Sequence, residues 1–181
     1  LGLRSELPTH MYAVPPGSGA AHVPDHCAEK PEPIQTAVTF AVSSEGVADS
    51  PLVDQILLER ARALSTAPSR ESVLILAHGP GDDGENQRWL QRMQARAKRL
   101  ETDGGFKTVR CETLREDWPE KRAPAEKRIR EFVQNATESG ERVIVLPFRV
   151  AGFGPYREVL EGLSYVSDGR GFCPHANMTR W

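Results

Sequence analysis

Among the side chains of this sequence able to do chemistry, one histidine is best placed. His78 sits at the seam of "VLILAHGPGDD", residues 73–83, after a run of aliphatics and before glycines, a proline and two acids. Imidazole titrates near neutral pH and ligates most divalent transition metals, so at a strand end it can accept a proton or hold a cation. The plain alternative is a packed strand-end histidine that hydrogen-bonds its own loop. Two weaker constellations lie elsewhere. His22, His26 and Cys27 in "HVPDHC" stand at i, i+4 and i+5 within a proline-rich stretch, where a loop is the simpler reading than a zinc or cobalt site. Cys173 and His175 flank Pro174, and a structural turn is simpler there than a shared metal.

Other chemistries lack their residues. The acidic loop after His78 is not a phosphate loop, because GxxxxGK[ST] is absent and Asp82 and Asp83 would repel phosphate. No GxSxG elbow is present, against a serine hydrolase of the common α/β type. The 23 Lys and Arg nearly balance the 25 Asp and Glu over 181 residues, which excludes a general electrostatic footprint for nucleic acid or an anionic membrane. Aliphatic runs such as 143–146 fall far short of the ~20 residues of a membrane span. Three scattered cysteines without a CxxC pair indicate neither a disulfide framework nor a zinc ribbon, so a reducing, cytoplasmic setting is expected.

The elements that must position His78 follow from periodicity. Residues 1–35 hold prolines at 8, 15, 16, 24, 31 and 33 and read as an irregular arm. "TAVTFAV", 36–42, reads as a short strand. Ser50 then caps a helix that starts at Pro51 and turns Leu52, Val53, Ile56, Leu57, Ala61 and Leu64 to one face. From residue 71 strands and helices alternate. "SVLILA" is followed by a helix over about 85–101 with Trp89, Met93, Ala97 and Leu100 on one stripe. "KTVRCETL" leads to a helix over about 124–138 with Ile129, Phe132, Val133 and Ala136 aligned, and "RVIVLPF" to a short helix from Pro155. "SYVSDGRGFCPH" closes as an irregular or strand-like segment. The expected fold class is α/β: a three-layer parallel sheet of about four strands with helices on both faces. Ligands bind such sheets outside the carboxyl ends of the strands, which puts His78 and the 152–156 loop on one edge.

The segments "LILAHGPGDDGENQRWL" and "ERVIVLPFRVAGFGPYREVLEGL" together resemble the class II chelatases, the sirohydrochlorin cobaltochelatases and ferrochelatases, over about residues 70–175. The resemblance implies insertion of a divalent metal, cobalt or iron, into a tetrapyrrole, with the metal as substrate and no organic cofactor. It implies His78 as metal contact and proton acceptor, and a macrocycle cleft between the 79–83 and 152–156 loops, with Gly79, Pro80, Asn86, Gly152 and Phe153 lining it. The family places a second histidine in the later loop, and "AGFGPY" has none. His175 is the replacement expected as a second metal ligand and Glu158 as a second proton acceptor; a partner copy in a homodimer or an amino-terminal domain is the other source. Residues 36–69 resemble the last strand and helix of a preceding copy, so the expected organisation is an arm (1–35), that remnant (36–69) and a chelatase-like domain (70–181). The competing expectation is a non-catalytic domain of the same fold that binds metal or tetrapyrrole, or serves as a structural half.

Overall fold

The computed structural model describes residues 10–12, 33–35 and 46–181, and the chain divides into two units, Leu1–Gly46 and Val47–Trp181. In the first, β1 (His10–Tyr12) pairs antiparallel with β2 (Pro33–Gln35). The strand expected over 36–42 and the His22, His26 and Cys27 group lie outside the described residues.

The second unit is α/β and carries the expected alternation: α1 (Pro51–Leu64), β3 (Glu71–Ala77), α2 (Asp83–Gly104), β4 (Thr108–Thr113), α3 (Pro119–Glu138), β5 (Arg142–Pro147), α4 (Tyr156–Val159) and α5 (Ala176–Arg180). Ser50 caps α1, its Oγ accepting from the Leu52 amide at 3.3 Å, with Pro51 at the first helical position. Gly105 ends α2 in the left-handed conformation, φ +70, where a side chain would be strained. α3 starts at Pro119, before the expected start near 124 and six residues before its apolar stripe begins at Ala125, and Pro124 lies inside it. Its first turn is polar and held by the Trp118 carbonyl, which accepts from Lys121 and Arg122 at 2.9 and 2.7 Å. Hydrophobic periodicity therefore has nothing to register there.

The sheet has three parallel strands in the order β4-β3-β5, with Val73 opposite both Val109 and Ile144. Val166 adds one isolated parallel bridge beside β5, at Ile144. β3 is buried at every position because both faces are covered. Val73, Ile75 and Ala77 face α1 and α2 in one core cluster; Leu74 and Leu76 face α3 and α4 in the other. Chain direction explains that split. The connection β3→β4 runs outward and β4→β5 runs back past β3, so crossovers of one hand put α2 and α3 on opposite faces. Each fully buried Leu or Ile here contributes about 1.5–3 kcal/mol, and β3 alone supplies Leu74, Ile75 and Leu76.

At the amino edge Glu71, 1% exposed, gathers the α1–β3 connection and β5. Ser65 Oγ and the Thr66 amide donate to it, as does Arg142 at 2.7 Å. Among the described residues no helix is long and apolar enough to cross a membrane.

Candidate functional site

The strand order makes β3 the point from which the chain departs to one side and returns on the other, the arrangement that in open α/β sheets puts ligand sites beyond the carboxyl ends of the strands, here those of β3 and β5. His78 is the first residue beyond β3. Pairing continues past the strand ends and fixes its backbone: Leu114 N–H donates to Ala77 O at 2.9 Å, Arg115 N–H to His78 O at 2.6 Å, and Phe148 N–H to Leu76 O at 2.6 Å. Gly79 follows at φ +77, and a Cβ there would stand 2.6 Å from Thr113 Cβ. Only glycine lets the loop turn away so close to β4.

The ring of His78 is 36% exposed and its two nitrogens have different tasks. Nδ1 lies 2.7 Å from the Gly79 carbonyl oxygen, which can only accept, so Nδ1 carries the proton. Nε2 faces Asp117 Oδ2 at 3.1 Å and Glu116 Oε2 at 3.9 Å. A lone pair facing carboxylate oxygens is repulsive unless a cation lies between them. A second ring proton or a metal cation at Nε2 would remove that repulsion. The Trp118 indole meets the imidazole edge-on, 6.1 Å between centres, and lies against Gly81, where a Cβ would run into the ring.

Two clamps hold the surrounding loops. Arg115, buried and at φ +60, donates to Gly81 O at 2.6 Å and to Asp83 Oδ1 at 2.8 Å; Lys121 reaches the same two acceptors at 2.6 and 3.0 Å. These bonds hold the Asp83 carboxyl below its ordinary range. Asp82 caps α2, accepting from Glu85 N–H at 2.7 Å. On the other side Arg149, two residues beyond β5, donates to Glu116 Oε1 at 2.6 Å. A Cβ on Gly154, at φ +63, would overlap its guanidinium.

The residues singled out from sequence are distributed unevenly around this centre. Gly79 and His78 belong to it, and Pro80 lies in the same half-buried loop. Asn86 is buried in the first turn of α2 and accepts from Thr113 Oγ1 at 2.7 Å, which ties α2 to the end of β4. Gly152, at φ +70, has open space where a Cβ would project. Phe153 packs between Tyr156, 5.8 Å away edge-on, and Tyr165, stacked at 6.1 Å. Glu158 is 79% exposed, and its ion pair is with Arg122 at 4.0 Å. His175 has another neighbourhood: Nδ1 accepts from Asn177 N–H at 3.1 Å, capping α5, and Nε2 faces Glu59 of α1 at 3.2 Å. The contacts of His175 and His78 share no residue. Among the described residues no group of three His, Cys, Asp or Glu is arranged to hold a metal ion.

Glu116, Asp117, Trp118 and Arg149 were not picked out by sequence reasoning. The signal was present in "REDWP", which directly follows a strand and so falls on the same carboxyl edge as "HGPGDD". Comparisons with protein-family models, with curated proteins and with solved structures give no match to the chain.

Proposed function

We propose that the chain is a chelatase-like protein that inserts a divalent metal, cobalt or iron, into a sirohydrochlorin-like tetrapyrrole. One observation carries this reading: Nε2 of His78 faces two carboxylates at the carboxyl edge, between loops rich in glycine. Insertion requires that an incoming divalent cation shed water while two pyrrole N–H protons leave the macrocycle. His78 Nε2 is suited to hold the cation, and Asp117 and Glu116 to attract it and accept the departing protons. Asp117 is 69% exposed and Glu116 only 11%, so one carboxylate meets solvent and the other is sheltered from it. The half-buried Trp118 offers an apolar face beside the imidazole for a flat ligand.

The proposal extends to the architecture. The Ile144–Val166 bridge is read as a rudimentary fourth strand of a three-layer, chelatase-like domain, and free Cys111 and Cys173 support a reducing, cytoplasmic setting. A second reading, a metal- or tetrapyrrole-binding half without turnover, is favoured by one observation: the 152–156 loop has no histidine and His175 is engaged with Glu59. Calorimetric titration with Co²⁺ tests what both share. His78→Ala is expected to remove most Co²⁺ binding; an unchanged affinity moves the metal away from His78 and defeats the proposal.

A further inference from the structure

Arg149 is held in place by its surroundings as well as by its own bond to Glu116. Its carbonyl accepts from Phe172 N–H at 2.7 Å, and a Cβ on Gly171 would overlap that same oxygen. Gly154 passes against the guanidinium, and the Tyr156 ring supports it from below, 5.7 Å from the guanidinium carbon to the ring centre. The Tyr156 hydroxyl is fully buried with no hydrogen-bond partner among the described residues. The ring therefore lies against Arg149, and its buried hydroxyl stands close to both Arg149 and Glu116. Glu116 in turn spends Oε1 on Arg149 and turns Oε2 toward His78 Nε2.

We infer that Arg149 is a positioning residue: it holds Glu116 so that the second carboxylate oxygen faces His78, which couples the loop after β5 to cation capture at the loop after β3. This rests on the reading of His78 as a metal contact. The sign of the effect separates placement from charge. A guanidinium near the site repels a divalent cation, so as a charge alone Arg149 would weaken binding. Any favourable contribution comes from where it puts Glu116, and outer-sphere partners of this kind typically contribute about 10- to 100-fold in metal affinity.

A double-mutant cycle on the full chain, read by Co²⁺ titration calorimetry with melting curves alongside, tests this. Arg149→Met is expected to weaken Co²⁺ binding about 10- to 100-fold in the parent chain and not to weaken it further in Glu116→Gln. Tighter or unchanged binding in Arg149→Met overturns the inference, and so does equal weakening in both backgrounds, which is what general loss of structure gives. If Arg149→Met loses its cooperative melt, Arg149→Lys takes its place, since lysine keeps the charge and lacks the planar fork. It is expected to weaken binding in the same direction, and wild-type affinity overturns the inference. His78→Ala in the same series keeps the two readings apart. Loss of binding there with none in Arg149→Met sinks the positioning role alone, whereas full binding in His78→Ala sinks the metal reading and this inference with it.

Discussion

His78 is informative because its surroundings fix one ring nitrogen and turn the other toward carboxylates. The Gly79 carbonyl fixes the proton on Nδ1, and β3 fixes the backbone, so Nε2 is delivered to the Asp117 and Glu116 side chains in a defined orientation. Gly79 makes this possible, and its contribution separates into two parts that another glycine isolates. Gly79 and Gly152 both have positive φ, +77 and +70, but a Cβ at Gly79 meets Thr113, Arg115 and Asn86 within 3.1 Å whereas one at Gly152 meets nothing within 4 Å. Gly152→Ala is expected to cost only the left-handed strain, about 1–2 kcal/mol. Gly79→Ala adds overpacking against the buried Thr113–Asn86 pair and is expected to cost about 2–4 kcal/mol. Urea unfolding compares them, and equal losses would mean that the close approach to β4 has no energetic weight. His78 was legible from sequence because a lone imidazole between an aliphatic run and glycines is an unusual local signal. Glu116 and Asp117 were not, since acidic residues in a loop look like any solvated turn until the strand ends are brought together.

At the scale of elements, the amino edge is secured by Glu71, where β3, β5 and the end of α1 meet. Burial pushes this carboxyl up, but bonds from Ser65, the Thr66 amide, Arg142 and the Thr66 hydroxyl outweigh it and hold the group at about 2 against an ordinary 4.5. A folded-state value below the unfolded one means that stability is fully present above about pH 4.5 and is lost as pH falls toward about 2. The shift corresponds to about 3 kcal/mol. Unfolding free energies measured across that window are expected to fall with acid in the parent chain, and Glu71→Gln to lack this component; parallel acid limbs would contradict the assignment. The strands and the apolar stripes of α1 and α2 were legible because both sheet faces are buried and the periodicities are clean. The start of α3 and the gathering role of Glu71 were not. The first depends on a polar turn held by backbone bonds, and the second on residues six and seventy-one positions away.

For the second unit as a whole, the order β4-β3-β5 brings three loops to one edge: His78 after β3, Glu116 to Trp118 after β4, and Arg149 to Tyr156 after β5. Alternation of strands and helices made the α/β class legible in the sequence, but only spatial order shows that the β4 loop faces the histidine. On the proposed function, this convergence performs metal insertion at His78. Its direct measurement is the rate of Co²⁺ insertion into sirohydrochlorin by the full chain, followed through the change in the macrocycle's absorption spectrum, for the parent and for His78→Ala. Insertion by the parent chain is expected, with a loss in His78→Ala of roughly 10²- to 10⁴-fold, or about 3 to 5.5 kcal/mol of transition-state stabilisation. An insertion rate that His78→Ala leaves untouched, or a parent chain that binds Co²⁺ and the macrocycle yet never joins them, would contradict it.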